Sequence, residues 1–232
     1  MAWEGRGPGG SFWCDGGIRP LVSEGVWAAL ASQGVARRYR TGDVMVVQGH
    51  GGDRVIVLVD GRVKVTRNEA DGTEVLLAIR DAGEIIGEMS ALDGSVASAT
   101  VTALRPCATR VVPVGEFLYF VRSHDMVRAL LRHAAARRRE SEQIRIELTT
   151  LTVSRRLIRT LLRLMDSLGT ASGGAIAVDL GLPQEELARA IGASRSQLAA
   201  SLAWLRGLGL VSTERRRVLI HDAGGLRKLD TD

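Results

Sequence analysis

The chain has 232 residues, 31 basic and 26 acidic, for a formal net charge of +5. An apolar fraction of 45% and a charged fraction of 25% are ordinary for a globular protein and exclude a disordered tail or a fibrous repeat. No apolar run approaches the roughly 20 residues of a membrane span, and the opening MAWEGRGPGG lacks a charged-then-apolar signal pattern, so the expectation is a cytoplasmic chain with no membrane partner. Two cysteines, Cys14 and Cys107, are too few for a disulfide framework or a four-cysteine zinc or iron–sulfur site.

The charge is unevenly spread. Residues 1–121 carry 12 basic and 14 acidic groups, net −2, and residues 122–232 carry 19 and 12, net +7. Such asymmetry suggests two modules with a polyanion partner for the second. The alternative is an arginine-rich solvated surface.

Residues 1–17 hold six glycines and read as a flexible lead. Residues 21–34 read as a short helix with Leu21, Val26 and Leu30 on its apolar face. From Thr41 the pattern turns to short strands: Val44–Val47, Val55–Val59, Arg62–Thr66, Glu74–Ile79, Ser98–Ala103 and Ala108–Val114. An Ala70-Asp71-Gly72 turn joins two of them as a hairpin. Strands about ten residues apart with glycine turns indicate an antiparallel barrel or jelly roll. The stretch Gly83–Gly94 breaks this rhythm. It can be a helix N-terminus that holds an anion beside a buried glutamate, or a barrel corner whose glycines need φ > 0.

Residues 122–151 contain no glycine or proline. Leu130, Ala134, Arg137, Ser141, Ile144, Leu148 and Leu151 recur at alternating spacings of four and three, a heptad seam. It predicts a homodimer; the alternative is a long helix packed on its own domain. The cluster Arg137-Arg138-Arg139 can serve an anionic ligand or pair with Glu140 and Glu142.

Ser154–Leu168 reads as a helix faced by Leu157, Leu161 and Leu164, followed by a loop over 169–174 and a strand over 175–180. Then Pro183 opens one helix and Gly192 ends it. Ser194 caps a second helix, running to about Gly207, with Gln197 completing a capping box. Leu187, Ile191, Leu198 and Leu202 face a shared core. Helix, glycine turn, helix is the DNA-binding supersecondary unit. Arg195, Ser196, Gln197 and Ala200 of the second helix are the candidate base readers, with Ser194 and Gln184 beside them. Strands 210–213 and 218–220 flank Glu214-Arg215-Arg216-Arg217, a wing whose three arginines suit DNA phosphate. No Walker loop, nucleophile elbow or metal-spaced cluster is present. His50, His124, His133 and His221 are scattered, so an enzyme or a haem or iron–sulfur sensor is not expected.

In this order, the pieces resemble the family of the cyclic-AMP receptor protein and Fnr over residues 18–225. The marks are Gly42-Asp43, Asp60-Gly61-Arg62-Val63-Lys64-Val65, Asp71-Gly72, Gly87-Glu88-Met89-Ser90-Ala91-Leu92-Asp93-Gly94, Ser98-Ala99-Thr100-Val101-Thr102-Ala103 and Ile191-Gly192-Ala193-Ser194-Arg195, closed by the wing. The resemblance implies an α+β protein. A lead (1–17) would precede a cyclic-nucleotide-binding-type β-roll sensor (18–121), a dimerisation helix (122–153) and a winged helix-turn-helix (154–232). It implies a homodimer on a pseudo-palindromic double-stranded operator, with RNA polymerase as a further partner. In the family's phosphate cassette, here Gly87, Glu88, Met89, Ser90, Ala97 and Ser98, the ribose-binding glutamate falls on Glu88 and the phosphate-binding serine on Ser98. The phosphate arginine falls on Ala97, which cannot neutralise a phosphate, and Val96 stands where proline is frequent. Ser141 and Glu142 fall where the family meets the base, near Arg137 and Arg138. Three outcomes stay open: weak binding of a cyclic mononucleotide, another effector such as a cyclic dinucleotide, or an empty pocket. A cyclic-nucleotide regulatory subunit that does not act on DNA is the rival class.

Overall fold

The computed structural model describes residues 17–70, 72, 74–179, 181–214 and 216–231. Residues 1–16 of the expected lead, with Cys14, lie outside the described residues, as do Asp71 of the hairpin turn, Leu180 and Arg215 of the wing. The chain divides into two compact units, Gly16–Ser141 and one built on Glu142–Asp232.

In the first unit a 3-10 turn, Arg19–Leu21, precedes α1 (Glu24–Leu30), which Ser23 caps by accepting a hydrogen bond from the Val26 N–H. Strands β1 (Val35–Tyr39), β2 (Val44–Val46), β3 (Arg54–Asp60), β4 (Arg62–Asn68), β5 (Glu74–Asp81) and β6 (Glu84–Ile86) follow. Next come α2 (Glu88–Asp93), β7 (Thr100–Ala103), β8 (Cys107–Pro113), α3 (Val114–Ser123) and α4 (Val127–Thr150). The strands form two antiparallel four-stranded sheets, in the orders β1-β8-β3-β6 and β2-β7-β4-β5.

The uninterrupted apolar run of β3 has a direct cause: both of its faces are buried. Val55 and Val57 join Trp27, Leu30, Phe117 and Phe120 in one core, and Ile56 and Leu58 join Val63, Val101 and Cys107 in another. Side chains alternate across a strand, so burial on both faces removes the polar alternation. Each such residue contributes roughly 1.5–3 kcal/mol by leaving water. Gly61 turns β3 into β4 at φ 103°, and a Cβ there would lie 2.6 Å from Cys107 Sγ and from the Pro106 carbonyl. Only glycine fits that corner.

In this unit, β1 and the helix expected over 122–151 differ from the sequence expectation. β1 was not expected, because VARRY is polar and four of its five residues are exposed; it is an edge strand, where charged side chains are usual. The single helix expected over 122–151 is broken: α3 ends at Ser123, Asp125 takes φ 50°, and α4 starts at Val127. Neither glycine nor proline marks this break, since aspartate tolerates the left-handed region. Met126, buried in the core beside Ala129 and Leu130, draws the chain inward there.

The second unit follows the expected order more closely. α5 (Val153–Leu168) buries Leu157, Ile158, Leu161 and Leu164. The stretch 169–174 holds a strand, β9 (Gly169–Ser172), rather than only a loop, and β9 pairs with β10 (Ala175–Asp179). Then come α6 (Gln184–Ala190), α7 (Arg195–Gly207), β11 (Val211–Glu214) and β12 (Arg217–Ile220), in a sheet ordered β11-β12-β10-β9. A last helix, α8 (Ala223–Thr231), was not expected because Gly224-Gly225 disfavours helix. It is tied to α5 by Leu226, which is buried, and by an Arg159–Asp230 ion pair at 2.7 Å. Among the described residues no helix is long and apolar enough to cross a membrane.

Candidate functional site

α2 carries the cassette residues. Gly87 (φ 88°) and Gly94 (φ 72°) occupy left-handed conformations at its two ends. They form the backbone corner that glycines allow. Glu88 and Ser90 point inward and are buried, whereas Met89 is exposed. The Ser90 hydroxyl donates to the Val96 carbonyl at 3.2 Å, which ties α2 to the following segment. That segment lies along residues 49–50: the Gly49 N–H donates to Ala97 and the Ala97 N–H donates to His50. Ala97 is only 9% exposed, and Ser98 is exposed. Ser90 is thus tied to the residue before Ala97, and Glu88, Ser90 and Ala97 are all buried.

Behind Glu88 lies a cluster that sequence reading missed. Glu84, on β6, is 2% exposed. Its carboxylate meets His133 Nε2 at 3.2 Å and the Arg137 guanidinium of α4. His133 also lies 3.6 Å from Glu88, and Arg80 of β5 holds Glu140 of α4 with two hydrogen bonds of 3.0 and 2.7 Å. Arg137 is therefore already engaged by an acid of its own roll. The legible signal was an acid between Gly83 and two isoleucines, facing a His133/Arg137 pair four residues apart on a helix.

Burial pushes the Glu84 carboxyl up to about 8, outweighing the opposing charges of His133 and Arg80. Burial alone would lower His133, but the neighbouring Glu88 and Glu84 outweigh it and raise its pKa. Both groups hold protons more tightly in the fold than in the unfolded chain. The stability they contribute is present at low pH and is lost as pH rises, from above the usual glutamate value to about 8. The unfolding free energy of this unit is expected to fall between pH 6 and 8.5, by at most about 1.4 kcal/mol per pH unit for each proton released, and the melting midpoint with it. A Glu84→Gln/His133→Gln double variant should flatten that slope in thermal melts. A midpoint that rises over this range contradicts the assignment.

The predicted seam divides. Leu130 packs into the core of its own roll, so its side chain is not available to a partner; the heptad pattern alone could not separate these two uses. Arg137 turns onto Glu84, and Ser141 is exposed with its hydroxyl on the Arg137 carbonyl. Ala134, Ile144 and Leu151 are half-buried, and Leu148 is exposed. Arg138 is exposed and Glu142 half-buried.

In the second unit, Leu187, Ile191, Leu198 and Leu202 are all buried, as expected of a helix pair sharing one core. Ser194 caps α7 and the capping box is complete: the Gln197 N–H donates to Ser194 Oγ at 3.2 Å and the Ser194 N–H to Gln197 Oε1 at 2.9 Å. The Gln197 carbonyl oxygen thereby uses one of its two lone pairs at the cap. Arg195, Ser196 and Ala200 are exposed, with Gln184 at the start of α6. The outward ridge continues through Ala203, and Trp204 is partly exposed beside it. The wing turns between paired Glu214 and Arg217, and Arg216 stands exposed at its tip with φ 60°. Arg217 lies 3.8 Å from Glu214.

The chain matches the cyclic nucleotide-binding domain family over residues 36–124 and the Crp-like helix-turn-helix domain family over residues 155–229. It is 31% identical to a CRP-like cAMP-activated global transcriptional regulator of Mycobacterium tuberculosis, covering 91% of this chain and 95% of that one. A global nitrogen regulator of Synechococcus elongatus is 26% identical, over 79% and 84%. Among solved structures, FixK2 from Bradyrhizobium japonicum superposes with a TM-score of 0.75 at 19% identity, covering 85% of this chain and 98% of that one. The c-di-GMP responsive regulator CLP from Xanthomonas campestris also gives 0.75 at 19%, over 86% and 100%. With a β-roll, a helix-turn-helix and matches along nearly its whole length, this chain belongs to the Crp/Fnr family of transcription regulators.

Proposed function

We propose that the chain is a non-enzymatic homodimer that binds a pseudo-palindromic operator, and that its roll does not rely on cyclic AMP as a tight effector. The observation that carries the second part is the buried Ala97, with Arg137 held by Glu84. The Mycobacterium tuberculosis relative is named for cAMP activation. Here the charge that would anchor a cyclic phosphate is missing from the cassette. A charge-assisted hydrogen bond contributes about 1.5–3 kcal/mol, so its loss costs roughly 10–100-fold in affinity.

Calorimetry with cyclic AMP, cyclic GMP and cyclic di-GMP tests this directly. Weak or absent heats with cyclic AMP are expected, and Ala97→Arg should raise cyclic-AMP affinity by about tenfold or more. Tight cyclic-AMP binding by the unaltered chain would show that another group supplies the counter-charge. For DNA, steep loss of affinity with salt is expected of a phosphate-contacting protein. Salt-insensitive or absent binding would favour the regulatory-subunit reading.

A further inference from the structure

Arg156 sits in the first turns of α5 and makes four hydrogen bonds, none of them to an acid. Its Nη1 donates to the carbonyls of Leu148 (3.2 Å) and Leu151 (2.8 Å), at the end of α4. Its Nε donates to Ile191 (2.7 Å) and its Nη2 to Gly192 (3.0 Å), in the turn between α6 and α7. Carbonyls at a helix C-terminus lack intrahelical partners and carry partial negative charge. A planar guanidinium with five fixed N–H donors can satisfy several such carbonyls at once. The same joint is closed by packing: a Cβ on Gly192 would lie 2.6 Å from a Leu148 methyl, and Gly192 itself is at φ 61°. One turn away, Ser154 of α5 meets the buried Ser201 of α7 at 3.0 Å.

We propose that Arg156 is a positioning residue for DNA reading: it fixes the helix-turn-helix turn, and so the start of α7, against the end of α4. Whatever displaces the end of α4 then displaces Arg195 and Ser196, which lie just beyond that turn. The proposal rests on the DNA-binding reading. Lysine keeps the charge but presents a single compact ammonium, which cannot span four carbonyls from two segments. Glutamine keeps neither the charge nor the reach.

The test uses the full chain with two probes: a duplex selected for binding to the unaltered chain, and a duplex of random sequence. Arg156→Lys and Arg156→Gln are each expected to lower affinity for the selected duplex about tenfold or more. Affinity for the random duplex, and the slope of log affinity against log salt, should stay as in the unaltered chain, because Arg156 touches no phosphate. If Arg156→Gln fails to fold, Arg156→Lys carries the test. An unchanged ratio of selected to random affinity, with only a lowered melting midpoint, would reduce Arg156 to a structural role and overturn the proposal. A salt slope smaller by about two, one for each protomer, would make it a direct phosphate contact and also overturn it. An unaltered chain that does not prefer its selected duplex would overturn the DNA reading itself, a result distinct from either.

Discussion

Arg195→Ala is expected to remove discrimination at one base pair of each half-site. Arginine reads guanine through two hydrogen bonds worth about 1–3 kcal/mol of discrimination. Two half-sites double the effect, to roughly 2–6 kcal/mol. Arg195 carries this weight because of its neighbours. Beside it, the exposed Ser196, Gln197, Ala200 and Ala203 of α7 offer a hydroxyl, an amide and methyl groups but no second guanidinium. Arg206, the other arginine of the helix, donates to Thr213 at 2.9 Å. Arg216→Ala at the wing tip should behave differently, weakening all sequences about equally and reducing the salt slope by about two, one for each protomer. Binding profiles over a randomised half-site check both outcomes. A profile unchanged by Arg195→Ala would show that another side chain reads that position.

The second large effect is expected at Ile144. It is half-buried on α4, on the stretch of the predicted seam beyond the Glu84 cluster. Ile144→Glu should convert a dimer into a monomer of 24.9 kDa. Joining two half-site readers raises avidity by about 10²–10⁴, so affinity for a two-half-site duplex should fall at least about a hundredfold. Ile144 also lines a small cavity with Leu148, Arg156 and Thr160 of its own chain. Circular dichroism therefore accompanies the mass measurement, and Ile144→Leu serves as the conservative control. A folded Ile144→Glu variant that keeps twice the monomer mass would place the dimer contact elsewhere.

How much the sequence revealed depends on whether the physics was local. The α6–turn–α7 unit was legible because each signal is local: a proline before the first helix, a glycine in the turn, and a Ser194/Gln197 capping box that forms as read. The hairpin of β4 and β5 was legible from alternation and Gly72. β1 and α8 were not, because their local composition opposes their conformation and tertiary packing decides. The heptad in α4 was legible as a pattern, but its meaning was not: Leu130 enters the roll's own core, and Arg137 answers Glu84, 53 residues away in sequence. That ion cluster depends on which strand and helix meet, which spacing along one chain does not encode. That the family's phosphate arginine falls on Ala97 was legible only through the resemblance, and the Ala97 backbone is hydrogen-bonded to residues 49–50.

The proposed molecule is a salt-sensitive, two-half-site DNA reader whose roll lacks the anchor for cyclic AMP. A fluorescence-anisotropy titration of a selected duplex, run at several salt concentrations with and without saturating cyclic AMP, tests it most directly. The predicted result is an affinity that falls steeply with salt, collapses when one half-site is scrambled, and does not change with cyclic AMP. Affinity indifferent to salt or to the second half-site, or a large tightening by cyclic AMP, would contradict it.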